Sequence, residues 1–389
     1  MKRLLALMLG LLLVISLAAC APTGGGAQEE DTELEAQDYN IAVCIPITGT
    51  NATYAAYIKN GLEMALANLE KRGGLNGTGG KIILDFYDDN NDPKQGVALA
   101  ERIVEDDKYL CEIGSFASPV SLAAAPIYNE AKMVQYALTS SNTRYLPIGE
   151  YCFSLSTTQD VSTANHADWQ INYLGYKTFA VIHSNDDWGN ESFDFYQEAI
   201  EAEGGTIVAE ESYIAGTTND FTAMLTTLKT VDADALMTFC GEDDLVMMMK
   251  QADMLGLDFN WLSSKKCCSA TVIDQLGELA EGLYSLNNAP KTKENKVYAD
   301  YFEEYIKVYP DSETTQKYVD QSYNCMLTVI WAIENGGVDR QSFRDTLASL
   351  KDFMGVQGTI SFDPDTRKVF NEEYLAQVQD GVWVNIDTN

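Results

Sequence analysis

Short apolar runs alternate with stretches of helical spacing along most of the chain. In the first half, apolar runs that indicate strands cover residues 40–46, 81–85, 109–114 and 133–137. Segments with helical spacing lie between them, at residues 53–72, 93–105 and 119–131. This alternation predicts a parallel β-sheet with helices on both faces, because parallel strands are joined by helical crossovers.

The same rhythm starts again in the second half of the chain. Strands are predicted at residues 178–183, 206–210 and 235–239, and helices at residues 191–203, 221–230 and 245–255. Two further helices, at 298–309 and 316–334, and strand-like segments at 358–362 and 382–386 complete the chain. The repetition predicts an α/β fold of two similar lobes rather than one long sheet.

The first residues have the pattern of an export signal. An apolar run over residues 4–17 is short for a transmembrane helix and fits the central region of a signal peptide. It ends in Leu17-Ala-Ala-Cys20, which resembles the lipobox of bacterial lipoproteins. The resemblance implies that residues 1–19 are removed and that Cys20 carries a diacylglyceryl group. An ordinary signal peptide with a chance cysteine is the alternative. The composition of residues 20–38 predicts a flexible acidic tether.

Composition narrows the class of function. Of 389 residues, 58 are acidic and 26 are basic, which gives a formal net charge of −32. Such a surface repels nucleic acid, because phosphate backbones are bound by basic residues. Of the 8 cysteines, the seven other than Cys20 are irregularly spaced, which favours buried thiols over a metal cluster. An odd number cannot all pair, and a disulfide between two of them is the alternative. No cofactor and no metal site are expected.

Motifs of common enzymes do not occur in the sequence. The chain lacks the Gly-x-Ser-x-Gly elbow of hydrolases and the His-Glu-x-x-His zinc motif. Residues 74–81 look like a phosphate loop, but Leu75 and Ile82 stand where Gly and Ser or Thr are required. His166 and His183 could in principle act as general bases, but neither belongs to a recognisable nucleophile–base motif, and structural or surface roles are expected for both. We therefore expect a protein that is not an enzyme.

A series of short motifs runs in order along nearly the whole mature chain. They are Ile45-Pro-Ile-Thr-Gly49, Gly73-Gly-Leu-Asn-Gly77, Asp88-Asp-x-x-Asp-Pro93, Gly114-Ser-x-x-Ser118, Val181-Ile-His-x-x-x-Asp-Trp-Gly189, Gly216-Thr-Thr-Asn-Asp-Phe221 and Gln251-Ala-x-x-x-Gly-Leu257. Together they resemble the leucine/isoleucine/valine-type periplasmic binding proteins, the solute receptors of ABC importers. The resemblance implies a type I periplasmic binding fold, in which two doubly wound parallel-sheet lobes are joined by a three-segment hinge.

The resemblance also implies where each lobe begins and ends. Lobe 1 is expected over residues 39–157 and 286–368, and lobe 2 over residues 158–285 and 369–389. The hinge segments are expected near residues 155–158, 285–288 and 363–370.

Polar side chains follow the predicted strands at the edge where open parallel sheets bind ligands. Ser118 follows the strand at 109–114 and precedes a helix, so its hydroxyl can cap that helix or help to bind an anion there. Thr139 and Ser141 follow the strand at 133–137. The resemblance implies that these three residues hold the carboxylate and the amino group of an amino acid.

An acid and three aromatic residues complete the expected ligand site. The resemblance puts Asp244 where the family commonly has a glutamate that pairs with the ligand ammonium. Capping a helix that starts at residue 245 is the other role open to Asp244. Tyr54, Trp188 and Phe221 match aromatic positions that line the family's cleft.

The resemblance therefore implies an exported receptor that is anchored by lipid to the outer face of the bacterial cytoplasmic membrane. Its ligand is expected to be a small molecule, an amino acid of the branched-chain type, which hinge closure grips without chemistry. Its partners are expected to be an ABC permease and its ATPase, and the receptor is expected to be a monomer. The alternatives are the same scaffold with an aromatic acid, an amide or a urea-like solute, a sensory module, and an exported enzyme.

Overall fold

The computed structural model describes residues 35–49, 51–288, 295–310, 316–371 and 373–386. The predicted signal peptide, Cys20 and residues 20–34 of the predicted tether lie outside these ranges. Among the described residues, no helix combines the length and the apolar character needed to cross a bilayer.

Strands and helices alternate through the described residues. The strands are β1 Tyr39–Ile45, β2 Ile82–Asp88, β3 Tyr109–Gly114, β4 Val134–Ala137, β5 Cys152–Ser154, β6 Thr178–Ser184, β7 Thr206–Tyr213, β8 Ala235–Phe239, β9 Trp261–Ser263, β10 Tyr284–Asn288, β11 Phe353–Gly355, β12 Gly358–Phe362, β13 Val369–Phe370, β14 Glu373–Gln379 and β15 Val382–Asn385. The α-helices are α1 Ala52–Lys71, α2 Pro93–Val104, α3 Ser118–Glu130, α4 Gln159–Asp168, α5 Asp187–Ala202, α6 Thr222–Lys229, α7 Glu242–Met254, α8 Ala270–Leu276, α9 Lys296–Val308, α10 Lys317–Glu334 and α11 Arg340–Ala348. Short 3-10 turns cover Leu146–Ile148, Lys265–Cys267 and Gly277–Ala280, and a π-turn covers Trp169–Tyr173.

Lobe 1 is built on the sheet of strands β1 to β5. Its order is β2-β1-β3-β4-β5, and every pair of neighbours is parallel. Helices α1, α2 and α3 make the crossovers, as the sequence predicted. The start of α2 shows how the chain specifies them. Asp92 accepts a hydrogen bond from the backbone N–H of Lys94 at 2.8 Å, and Pro93 takes the first helical position.

Lobe 2 repeats the topology of lobe 1. Its sheet has the order β15-β14-β10-β9-β8-β6-β7. The run β7-β6-β8-β9-β10 is parallel and corresponds strand for strand to β2-β1-β3-β4-β5, whereas β14 and β15 pair antiparallel at one edge. The predicted fold class, two doubly wound parallel-sheet lobes, is confirmed.

The chain passes between the two sheets three times: between β5 and α4, between β10 and α9, and between β13 and β14. Strand pairing shifts two of the predicted lobe bounds. All of β10 pairs with β14, so residues 286–288 belong to the sheet of lobe 2. β13 pairs with β12 in a small antiparallel sheet, and Val369 packs in the core of lobe 1, so residues 369–370 belong there.

The seven cysteines after Cys20 are all described, buried and not disulfide-bonded. This confirms the prediction of buried thiols. Two of them, Cys240 and Cys267, have their sulfur atoms 4.0 Å apart.

Helix α10 packs along α1 at a point where α1 has a glycine. A Cβ atom on Gly61 would lie 2.1 Å from the hydroxyl of Ser322 and 2.3 Å from the carbonyl oxygen of Val319. The two helices therefore approach more closely than any side chain at position 61 would allow.

We expect Gly61→Ala to lower the free energy of unfolding by about 1 to 3 kcal/mol, because the two backbones must separate to admit a methyl group. Urea denaturation of the purified protein measures the loss. Ala65→Gly on the same helix makes the reverse exchange and shows how much stability an exchange between glycine and alanine changes by itself in this helix. Gly204→Ala would not serve this purpose, because φ at Gly204 is +83° and the new side chain would strain the backbone. A Gly61→Ala protein as stable as the wild type would contradict this account of the packing.

Candidate ligand-binding cleft

A cavity of about 1430 Å³ lies between the two lobes. Both lobes belong to the compact unit Ala36–Asn389. Residues that follow β3 and β4 line the cavity from lobe 1, and residues that follow β6, β8 and β9 line it from lobe 2. Strand order reverses beside these ends, which is where open parallel sheets bind ligands.

Three predicted hydroxyl residues of lobe 1, Ser118, Thr139 and Ser141, line this cavity together. Ser118 is the first residue of α3 and is 3 % exposed. The N-cap of α3 is Ala117, so Ser118 stands inside the helix and does not cap it. The hydroxyl of Thr139 donates to the carbonyl oxygen of Phe116. The wall presents hydroxyl groups at the positive end of a helix, where a carboxylate is stabilised.

Tyr54 lines the cavity as one member of an aromatic group. Its ring stacks on that of Phe116, with centroids 4.6 Å apart and 13° between the planes. Tyr318 meets both rings edge-on, with its centroid 5.1 Å from Tyr54 and 5.6 Å from Phe116. Burial raises the pKa of Tyr54 far above its usual range, so the phenol is neutral. Because Phe116 lies inside the Gly114–Ser118 motif, the sequence could have predicted it as a cavity residue. Tyr318 lies in none of the motifs, so the sequence offered no comparable indication for it.

The two aromatic residues predicted for lobe 2 have different positions. Trp188, in the first turn of α5, lines the cavity. Phe221 does not line it: its side chain is fully buried in the core of lobe 2 and meets Tyr213 edge-on at 5.1 Å. The expectation that Phe221 walls the cleft is therefore corrected. Its backbone N–H donates to the side chain of Gln251 at 2.7 Å, which holds the residue at the entrance of α6.

Asp244 lines the cavity from the first turn of α7. The helix begins at Glu242, three residues earlier than predicted, so Asp244 is not its N-cap. The hydroxyl of Tyr213 donates to the Asp244 carboxylate at 2.6 Å. Burial raises the pKa of Asp244, while this hydrogen bond and that from the Gly241 N–H oppose the rise. The carboxylate is thus held in a fixed position and turned towards the cavity.

The cavity is also lined by several lysines that the sequence analysis did not predict, among them Lys265, Lys266 and Lys317. Lys265 pairs with Glu373 at 2.9 Å, and the Glu373 side chain has no exposed surface. Burial acts to raise the pKa of Glu373, but the Lys265 ammonium outweighs it and lowers the pKa below its ordinary value. This buried ion pair joins the loop after β9 to the start of β14.

His166 also lines the cavity, from α4. The side-chain amide of Gln170 contacts its Nδ1 at 3.3 Å, and Tyr196 donates to the amide oxygen of Gln170 at 2.6 Å. The amide nitrogen is then the donor, which places the imidazole proton on Nε2. That Nε2 is buried and has no hydrogen-bond partner among the described residues. Burial lowers the pKa of His166 to about 4, so the ring is neutral at pH 7.

Protonation of His166 should destabilise the protein below pH 6.5. Because the pKa of His166 is about 4 when folded and about 6.5 when unfolded, the unfolded chain binds more protons between these values. Between pH 7.5 and pH 4.5, His166 should remove about 2 to 3 kcal/mol of stability. We expect His166→Gln to lose correspondingly less stability over this range. Urea denaturation of both proteins at the two pH values measures the difference, and equal losses would show that His166 does not titrate as described.

Two doubly wound lobes, with a cavity between them at the carboxyl ends of their strands, define a protein that binds its ligand in a cleft between two lobes. The sequence matches the model of the periplasmic binding protein family over residues 38–382. The chain therefore belongs to this family, the solute-binding proteins of ABC transporters, and the family's place of action is outside the cytoplasm.

Comparisons with known proteins agree with this assignment. The "Leu/Ile/Val-binding protein homolog 1" of Brucella abortus is 25 % identical over 353 residues, which are 90 % of each chain. A solved structure of a branched-chain amino acid transporter substrate-binding protein, from Streptococcus pneumoniae and in complex with isoleucine, has a TM-score of 0.80 at 20 % identity. The match covers 90 % of this chain and 100 % of the Streptococcus chain. A solute-binding protein of Rhodopseudomonas palustris, solved with 3,4-dihydroxybenzoic acid, has a TM-score of 0.78 at 24 % identity, with coverages of 90 % and 96 %. At these identities, the two solved structures establish the fold alone.

Proposed function

We propose that this protein captures a free amino acid in the cleft and delivers it to an ABC importer. The observation that carries the proposal is the pairing of two walls. Ser118, Thr139 and Ser141 present hydroxyls on lobe 1, and Asp244 presents a carboxylate on lobe 2. An α-amino acid carries the two complementary groups, a carboxylate and an ammonium, on one carbon atom.

The hydroxyls of Ser118 and Ser141 can donate to the carboxylate of such a ligand. Ser118 lies at the start of α3, where free backbone N–H groups and the helix dipole favour a negative charge. The hydroxyl of Thr139 already donates to the carbonyl oxygen of Phe116, so it is left to accept a hydrogen bond from the ligand ammonium.

Asp244 suits the ammonium group, because Tyr213 and Gly241 already hold its carboxylate in place. Aspartate has one methylene fewer than the glutamate that is common in the family, and its shorter reach requires the ligand to lie nearer to α7.

Because the two walls belong to different lobes, a bound ligand favours the closed arrangement over the open one. Contacts at the rim already join the lobes. The backbone N–H of Thr143 donates to the Glu191 carboxylate at 3.0 Å, and Arg144 pairs with Asp187 at 2.7 Å. The Arg144–Asp187 pair is exposed and contributes little by itself, whereas the Thr143–Glu191 contact is partly buried. A ligand held by both walls adds to these contacts and shifts the equilibrium further towards closure.

The proposal includes the lipid anchor and the partners. Lipidation at Cys20 would hold the protein at the outer face of the cytoplasmic membrane, where it meets a permease and its ATPase as a monomer. Incorporation of labelled palmitate by producing cells, and its loss in Cys20→Ala, tests the anchor. Labelling that is equal in the two proteins would refute it.

An aromatic acid is the second candidate ligand. The observation that favours it is the aromatic lining, in which Tyr54, Phe116 and Tyr318 face the cavity from lobe 1 and Trp188 from lobe 2. An aromatic acid would use the same hydroxyls for its carboxylate, but it has no ammonium group for Asp244.

A thermal-shift screen with the common L-amino acids, 4-hydroxybenzoate, benzamide and urea separates the candidates. A ligand at 100 times its Kd adds about 2.7 kcal/mol of stability by mass action. We expect stabilisation by at least one amino acid, and the names of the relatives make leucine, isoleucine and valine the first probes. Stabilisation by 4-hydroxybenzoate alone would replace the amino-acid proposal with the second candidate.

A further inference from the structure

Two lysine side chains that line the cleft form no ion pair with a carboxylate in the described part of the chain. Lys266 lies on the turn after β9 in lobe 2, and Lys317 is the first residue of α10 in lobe 1. Neither ammonium has a carboxylate oxygen within 4.0 Å in the described ranges. Acids outnumber bases by 58 to 26 in this sequence, so the lack of a partner at two cavity-lining cations is unusual.

The two lysines lie around one aromatic group at the junction of the lobes. The ammonium of Lys266 is 4.7 Å from the ring centroid of Trp188 and 5.6 Å from that of Phe116. The ammonium of Lys317 donates to the carbonyl oxygen of Lys265 at 2.7 Å and is 5.6 Å from the ring centroid of Tyr318. The centroids of Phe116 and Tyr318 are themselves 5.6 Å apart. Both cations are therefore held near the cavity by rings and by a backbone carbonyl.

The acids of α7 do not neutralise this pair. Glu242 is the acid whose charge acts on both lysines, but it is 3 % exposed and does not line the cavity, and burial raises its pKa. Asp244 also lines the cavity, and the charge of Lys266 favours its ionised form, but its carboxylate is hydrogen-bonded by Tyr213 and forms no ion pair with that lysine in the described ranges. Asp243 lines the cavity as well and is exposed to solvent. Burial, with the charge of Lys265 acting in the same direction, lowers the pKa of Lys317 to about 8.

We propose that Lys266 and Lys317 form an anion subsite for a second acidic group of the ligand, so that the preferred solute is an amino acid with an acidic side chain. This inference rests on the proposed function and narrows it. The hydroxyls and Asp244 hold the α-carboxylate and the α-ammonium, and the lysines hold the side-chain carboxylate. Because the lysines belong to different lobes, the side-chain carboxylate also strengthens closure.

L-glutamate and L-glutamine form the matched pair of probes, because they have nearly the same shape and differ in the charge of the side chain. Titration calorimetry at pH 7 should give a Kd for glutamate about tenfold to a hundredfold below that for glutamine. Lys266→Met and Lys317→Met should each remove most of this ratio, and Lys266→Arg should restore part of it. Lys250→Met is the control, because Lys250 is exposed on α7 and does not line the cavity.

The outcomes separate the inference from the function on which it rests. Glutamate and glutamine that bind equally, or lysine variants that keep the wild-type ratio with an unchanged thermal midpoint, would overturn the anion subsite. Equal binding of glutamate and glutamine, together with binding of leucine in the wild type, would overturn the subsite while leaving the proposed function intact. Leucine itself has no side-chain carboxylate, so its Kd should change little in the two methionine variants. If no amino acid binds, the proposed function fails and the subsite fails with it.

Discussion

Replacing Asp244 by asparagine is expected to weaken the binding of L-leucine and of L-glutamate by about thirtyfold or more. Both amino acids carry the same α-ammonium group, and removing one charge of a desolvated pair costs about 2 to 5 kcal/mol. The asparagine would keep the size of the side chain and a hydrogen bond from Tyr213, so the folded protein should be preserved. Titration calorimetry of the wild type and the variant measures the change in Kd for each amino acid.

Two controls show whether the loss comes from the ammonium group. 4-Methylpentanoate is leucine without its amino group, and its Kd should not rise in Asp244→Asn, because a carboxylate nearby no longer repels it. Asp253→Asn, at an exposed position of the same helix, should leave the binding of leucine and glutamate unchanged. An Asp244→Asn protein that binds both amino acids as tightly as the wild type would remove Asp244 from the site.

Lys265→Met is expected to lower the free energy of unfolding by about 3 to 5 kcal/mol, because it leaves the buried carboxylate of Glu373 without its partner. Asn165 would still donate to Glu373 at 3.1 Å, but an amide does not balance the charge. Urea denaturation without added ligand measures the loss. The deficit should shrink between pH 8 and pH 5, because the unpaired carboxyl group would then have a raised pKa and take up a proton in the folded state.

The double variant Lys265→Met, Glu373→Gln should recover most of this stability, since no buried charge remains. Lys296→Met removes an exposed pair with Asp300, in which the two side chains are 83 % and 55 % exposed, and should cost less than about 1 kcal/mol. A single variant that loses no more than the Lys296→Met control, or a double variant no more stable than the single, would show that the pair is not buried as described.

The fold could be predicted from the sequence where strands are apolar and helices pack on a core. The strand predicted at 109–114 matches β3, and the repeated rhythm correctly indicated two lobes. Helix α4 was missed for a physical reason. Its buried positions include Gln159, Thr163 and His166, because that face lines a cavity rather than a hydrophobic core. An apolar pattern therefore could not reveal it.

The start of α7 was placed too late for a related reason. Helical spacing of apolar residues begins at Leu245, but the helix begins at Glu242 with a turn of three acids. Acidic side chains stabilise the positive end of a helix, so this turn is helical without an apolar residue.

The cleft could be predicted in part because its hydroxyls and Trp188 follow strands whose ends must share one edge. Phe221 was misplaced because its position in a motif does not determine whether its ring points into the core or the cleft. The lysines could not have been found in this way. Lys266 and Lys317 are far apart in sequence and belong to different lobes, and only the folded chain brings both to one aromatic group.

Titration calorimetry with the amino acid that stabilises the protein most tests the central claim, that a small solute is gripped between the two lobes. The account predicts one ligand bound per chain, with the ligand recovered chemically unchanged. It also predicts that a variant altered on both walls, Ser118→Ala with Asp244→Asn, no longer binds. Undiminished binding by that variant, or conversion of the solute during the titration, would contradict it.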